Sequence, residues 1–538
     1  MRSRSSERSL SSGPVVDDST APATPARNRA VVLTLMAAVF LSLLDSQIVA
    51  TALPRVISDL GGLDQFSWVT TGYLIGGSAA VPVYGKLGDL FGRKRVFLAS
   101  LIVFLLGSAL CGLAQTMGQL IACRVVQGIG SGGLFISVLA VIGEMFSPRE
   151  GARYYGWFSL TFGAASLAGP TLGGVLTELA DWRWVFFINL PVGAVVVLVV
   201  SLMLELPARR RKARLDHVGV LLLVVAIVGL NLLTGWAGTT YDWSSPVIVG
   251  LAAGSVLAVV LFLLSQRRAV DPVIPLRLFA DRTFTLVVVL GFLSGFVGLG
   301  LINYLVLWLG TVLTLDVQES GFALTAMMLA VVLTSYVSTK VIGRTGSYRW
   351  FPTLSMVVFA VAAALFSTAG PSTGPLLAVV YLLLFGIAGG LNSQALGLAA
   401  RNTASMRDIG AVQGTTTLLR QLGTSLGVSF FGAVLAGRLG SGLHDRLGRS
   451  GVRIDKDGSL SPEVIGKLSA PLRLELTGVY ADSLRWIFYA VIPLALIGLV
   501  ASFFLKDIKL ADGHAPARRD TSCADESANS GAAARGTS

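Results

Sequence analysis

Residues 41–54 read LSLLDSQIVATALP. Nine of these fourteen residues are apolar, counting the proline, and a carboxylate, Asp45, stands among them. Such a run belongs either to the core helix of a water-soluble domain or to a segment that crosses lipid, and the rest of the chain decides which. Of 538 residues, 53% are hydrophobic and 13% charged, and the mean hydropathy is +0.73. Soluble domains carry about 25% charged residues. Apolar runs such as VGVLLLVVAIVGLNLL (218–233) and PLLAVVYLLLFGIAGGL (375–391) recur along the length. A helix needs about 20 apolar residues to cross a bilayer. Only helices and closed barrels satisfy their backbone in lipid, and these runs are too long and continuous for barrel strands. The sequence predicts an all-α polytopic membrane protein.

The periodic runs predict fourteen spans, from 30–54 to 484–505. The net charge of +12 would suit a nucleic-acid partner until the bases are placed. With the N-terminus inside, thirty of the 42 Lys and Arg fall in inner segments, and the short outer loops hold only Arg55 and Arg183. That asymmetry is the positive-inside pattern and puts both termini in the cytoplasm of a cell-membrane protein. The boundaries follow. Residues 1–29 are a polar tail read as disordered, 30–206 a six-helix bundle, and 207–266 the basic linker RRRKARLD (209–216) with two extra helices. Residues 267–437 and 484–505 form a second six-helix bundle, 438–483 an outer loop with a short amphipathic helix near 462–482, and 506–538 an inner tail. Cys111, Cys123 and Cys523 make neither a disulfide framework nor a metal spacing.

GKLGDLFGRKR (85–95) places glycines, an acid and bases between spans 2 and 3. Gly85 and Gly92 permit a tight turn, Asp89 suits a helix cap or an Arg partner, and Arg93, Lys94 and Arg95 stay on the inner side. The stretch resembles the loop signature of the major facilitator superfamily, G-x-L-x-D-R-x-G-R-[KR]-x. Leu90 stands where that family has Arg. LLDSQIVATALP (43–54) resembles the span-1 signature of its fourteen-helix drug:proton antiporters, with Gln47 and Ala50 departing from it. CRVVQGIGSGG (123–133), GPTLGG (169–174), WRWVFFINLPVG (182–193) and LLRQLGTSLG (418–427) also read as this branch. The resemblance implies two six-helix bundles with two extra central helices. It implies alternating access and export of lipophilic drugs, antibiotics or related molecules in exchange for protons. An exporter of a lipid, siderophore or other metabolite, and a non-transporting sensor, are the competing readings.

An acid inside a span faces a watery cavity or a partner. Counting residues from the span ends puts Asp45 and Arg124 at similar depth, and the resemblance places both helices on the cavity. The pair is either a static clasp or the proton-coupling group. Gln127 follows Arg124 on the same helix face. Gly128, Gly130, Gly132 and Gly133, and Gly163, Gly169, Gly173 and Gly174 with Pro170, allow close packing and a bend. Glu144 suits pairing with loop bases. Arg420 with Gln421 needs a partner or water. Trp68, Tyr73, Asn303, Tyr304, Trp308, Asn392 and Gln394 are either interhelical glue or substrate contacts. The second half has no carboxylate deep in a span, which points to neutral, weakly charged or monocationic substrates. No P-loop or zinc motif is present, so the reading is a transporter and not an enzyme. It needs no cofactor or metal beyond a proton gradient, and it acts as a monomer on a small lipophilic substrate within membrane lipid.

Overall fold

The computed structural model describes residues 25–61, 65, 67–206, 216–237, 240–315, 317–403, 408–447 and 470–506. In chain order the first half holds α1 (Pro25–Leu60), α2 (Ser67–Phe91), α3 (Arg93–Gly112), α4 (Met117–Met145), α5 (Pro148–Leu179), α6 (Trp184–Phe187) and α7 (Asn189–Met203). Then come α8 (His217–Trp236) and α9 (Pro246–Arg268). The second half holds α10 (Arg282–Ser294), α11 (Ile302–Thr311), α12 (Val317–Thr345), α13 (Trp350–Thr368), α14 (Pro375–Ser393), α15 (Ala395–Thr403), α16 (Ile409–Leu447) and α17 (Ala470–Phe503). A π-helical turn, Gly295–Leu299, joins α10 to α11. Rejoining α6 with α7, α10 with α11 and α14 with α15 leaves fourteen rods. Twelve are long and apolar enough to cross a membrane. The other two, α2 and α5, are 25 and 32 residues long. Gly, Ser and Thr residues lower their hydropathy.

Local sequence sets the helix starts. Ser147 opens α5 with a capping box, its hydroxyl accepting from Glu150 N while Glu150 accepts from Ser147 N. Asp216 caps α8 by accepting from Gly219 N, and Asp281 caps α10 by accepting from Thr283 N and Phe284 N. Gly92, between α2 and α3, has φ 91°, a conformation that a side chain would strain. The first helix starts inside the expected disordered tail, where Arg27 pairs with Glu205 at 2.6 Å and donates to Met203 O at 3.0 Å. The expected outer loop also shortens, because α16 runs on to Leu447 and α17 begins at Ala470. The linker at 207–215 and residues 448–469 lie outside the described residues.

Within the first half α1 packs on α5, and α4 on both α2 and α3; within the second α12 packs on α14, α13 on α17 and α10 on α16. Small residues permit this. A Cβ on Gly107 would lie 2.6 Å from Gln127 Cα, and Gly128 and Gly132 meet the backbone of Tyr73 and Gly77. The π turn sits where Gly295 meets the Arg420 carbonyl and where a Cβ on Gly300 would lie 3.1 Å from Gly427 Cα. The extra pair α8–α9 is locked by Gln266, which donates to Asp216 Oδ2 at 2.6 Å and accepts from Ile274 N at 3.1 Å. This pair covers the seam between α2 and α16. Leu223 and Ile227 cluster with Ala79 and Leu418, Asn231 and Thr234 meet Ser425, and Trp68 meets Trp236 edge-on at 5.5 Å. Its outer surface, with Leu221 64% and Val256 62% exposed, is apolar as lipid contact requires.

Candidate functional site

Asp45 is fully buried in the first half and accepts from three side chains. Arg124 Nη1 donates to Oδ2 at 2.6 Å, and Gln127 Nε2 and Asn189 Nδ2 each donate to Oδ1 at 2.8 Å. Three helices, α1, α4 and α7, thus converge on one carboxylate. The network extends outward. Arg124 also donates to Gln127 Oε1 at 2.8 Å and Val69 O at 3.2 Å, and Asn189 to Ser108 Oγ at 2.9 Å. Arg124 lies over the Tyr73 ring at 4.1 Å, a cation–π contact in a desolvated place. The Tyr73 hydroxyl is held by Ser42 O at 3.0 Å and Ser131 Oγ at 2.7 Å. Accepting from three donors suits an ionised carboxylate, which has only acceptor sites. Asn189 was not singled out from the sequence. It opens α7 just past the break at Ile188, and its polar side chain in INLP was the available signal.

A second constellation joins the two halves at the end of the bundle that carries most of the bases. Asp89, at the end of α2, accepts from Gly410 N at 3.1 Å and Ala411 N at 3.0 Å, so it caps α16 across the interface. Arg93 bonds Asp89 at 3.3 Å, Glu144 at 3.4 Å and Ala140 O at 2.6 Å, and Lys94 reaches Ser201 O at 2.9 Å. Gly85 is required here, since a Cβ would lie 2.6 Å from Gly410 O. In the opposite sense Arg401 of α15 donates to Gly143 O at 2.8 Å and to Phe146 O, capping the end of α4. Each half thus caps a helix of the other, acid to N-terminus and base to C-terminus, as the helix dipole favours. Sequence reasoning counted Arg401 only as a loop base.

Contacts between the halves rise from that end. Arg149 donates to Gly343 O at 3.1 Å, Gln413 to Tyr155 OH at 3.0 Å, and Ser159 shares a hydrogen bond with Ser335 at 2.6 Å. Gln394 joins this layer through Ser159 Oγ at 3.3 Å, so it ties the halves together. A Cβ on Gly163 would meet Val332 Cγ2 at 2.9 Å. Farther along, α5 and α12 carry exposed apolar residues, Leu167 at 59% and Phe322 at 66%. Nothing lies within 4 Å of where Gly174 or Gly321 would carry a Cβ. Gly169 and Gly173 instead pack on Gln47 and Thr51 of α1, and Pro170 lies within the continuous α5.

The other candidates scatter. Trp308 does not line a cavity, because it is 1% exposed and packs edge-on against Phe366 at 5.3 Å. Tyr304 donates to Val428 O at 2.5 Å, and Asn303 is exposed. Asn392 is fully buried with neither amide atom bonded, and Arg420 has no hydrogen-bond or ion-pair partner among the described residues.

Comparison with known proteins places this architecture. Residues 35–428 match the Major Facilitator Superfamily. The chain is 36% identical to the MFS-type transporter Rv1877 of Mycobacterium tuberculosis over 491 residues, 91% of this chain and 71% of that one. It is 32% identical to the multidrug transporter protein MdtP of Bacillus subtilis over 503 residues, 89% of this chain and 93% of that one. Among solved structures the human organic anion transporter MFSD10 shares the fold, with a TM-score of 0.58 at 16% identity, covering 89% of this chain and 100% of that one. The chain is a multi-pass membrane protein that belongs to the major facilitator superfamily of transporters.

Proposed function

We propose that the protein exports lipophilic small molecules from the cell in exchange for protons, by alternating access, and that it catalyses no chemical reaction. The observation that carries this reading is Asp45, a buried acid held between three helices by three donors. Its nearest support among relatives is the Bacillus protein named a multidrug transporter. On the positive-inside rule the basic end is cytoplasmic. All fourteen rods then cross the membrane with both termini inside, and the conformation described is closed inside and open outside.

The coupling follows from the hydrogen-bond inventory. A proton added to Asp45 turns one acceptor into a donor and removes the counter-ion of Arg124. At least one of Arg124, Gln127 and Asn189 then loses its acceptor, so α1 loosens from α4 or α7. Loss of the proton restores the three bonds and draws the helices together. The paired caps made by Asp89 and Arg401 open and close the inner side in step. Substrate and proton thereby compete for one conformational choice, which is what exchange requires.

The test is transport into inverted vesicles under an imposed proton gradient, with a panel of lipophilic dyes. Accumulation that collapses with the gradient is expected. Accumulation indifferent to the gradient, or none in a folded protein across neutral, cationic and anionic dyes, would defeat the proposal.

A further inference from the structure

Arg420 sits eleven residues beyond Ile409, the first residue of α16. At 1.5 Å per residue that is about 16 Å from the inner end, near the middle of the membrane. Its guanidinium is half-buried and has neither acid nor hydrogen-bond acceptor among the described residues. A cation at this depth needs water or a counter-ion. The described acids offer none. Asp45 is held by three donors, Asp89 and Glu144 share Arg93 at the inner end, and Glu319 lies in the first turn of α12 at the outer end.

The direction of Arg420 follows from α16. Gln413 reaches Tyr155 across the interface of the halves. Arg420 is seven residues on, two turns up the same helix face, and it keeps partial exposure at this depth. Farther up this face Gly427 packs on the backbone of Phe296, whose ring is only partly buried. One partly exposed charged group thus lies below a partly exposed aromatic side chain.

We propose that Arg420 is the anion-binding group of the transport cavity, and that the compounds it accepts include amphiphilic organic acids. The acid head pairs with the guanidinium, whose planar fork suits a carboxylate, and the apolar body lies toward Phe296. The idea rests on the exporter reading for its consequence but not for its binding step. It replaces the expectation of neutral or monocationic cargo, because the half that lacks a deep acid also holds an uncompensated base.

Binding of a dansylated undecanoic acid and of its methyl ester is measured by fluorescence, on the detergent-solubilised full chain without any gradient. The wild type should bind the acid about tenfold tighter than the ester or better, since a site built for a charged partner rejects the analogue lacking it. Arg420→Lys should keep most of that preference, and Arg420→Gln should reduce acid binding to the ester's level. Equal binding of acid and ester by the wild type, or an undiminished preference in Arg420→Gln, would overturn the proposal. Acid preference in a protein that moves nothing under a proton gradient sinks the exporter reading and leaves the anion site standing. Gradient-driven efflux without acid preference means the reverse.

Discussion

Each half of the molecule keeps a charge in its membrane interior, and the two are treated in opposite ways. In the first half Asp45 and Arg124 neutralise each other and every donor around them is used. In the second half Arg420 has no partner among the described residues. A compensated pair can store a conformational choice, because adding a proton breaks it. An uncompensated charge can only be satisfied from outside the chain. On the two proposals above, the difference divides the work of transport between the halves, with energy coupling in one and recognition in the other.

The sharpest way to break this comparison is to remove each arginine. Arg124→Met strands Asp45 without a counter-ion, and breaking a buried pair costs about 3–5 kcal/mol. Thermal unfolding of the purified variant should fall well below wild type. Arg420→Met removes a charge that has no partner, so its melting temperature should match or exceed wild type. Equal losses in the two would mean that Arg420 is also structurally compensated.

A smaller effect is expected from Asn189→Ala, which takes one donor from a charged acceptor. Removing a hydrogen bond to a charged group costs about 1.5–3 kcal/mol. In a double-mutant cycle with Gln127→Ala the two losses should be non-additive, since both donate to Asp45 Oδ1. The inner caps come next. Asp89→Ala or Arg401→Gln should each weaken the closed inner side by about 0.5–2 kcal/mol, the usual worth of a cap. Labelling of a cysteine placed at Ser159 should rise in both variants. The smallest effect belongs to the α8–α16 contact, where Ser425→Ala loses hydrogen bonds with Thr234 and Asn231. Stability should drop by about 0.5–1.5 kcal/mol, read by thermal unfolding.

What could be read in the sequence was what depends on distance along a helix. Counting depth brought Asp45 level with Arg124, and the loop motif marked Asp89 as a cap. What could not be read depends on which helices are neighbours. Asn189 follows a break in its span, and nothing local says that α7 faces α1. Arg401 counted as one more inner base, yet it caps α4 because the halves meet there. Trp308 could be read as interhelical packing or as a substrate contact, and only the fold shows that it packs against Phe366. Hydropathy alone separates α2 and α5 from the twelve apolar rods, although their lengths are comparable.

The central claim is that Asp45 couples transport to protons and does not merely hold helices together. It is tested most directly by comparing wild type with Asp45→Asn in reconstituted vesicles, in two modes on the same preparation. One mode is uphill transport driven by a proton gradient, and the other is substrate counterflow with no gradient. Asparagine imitates the protonated acid, with one acceptor turned into a donor, so the chain should still fold while α1 holds α4 and α7 less tightly. The account predicts that counterflow persists while gradient-driven transport disappears. Gradient-driven transport that persists in Asp45→Asn would contradict it.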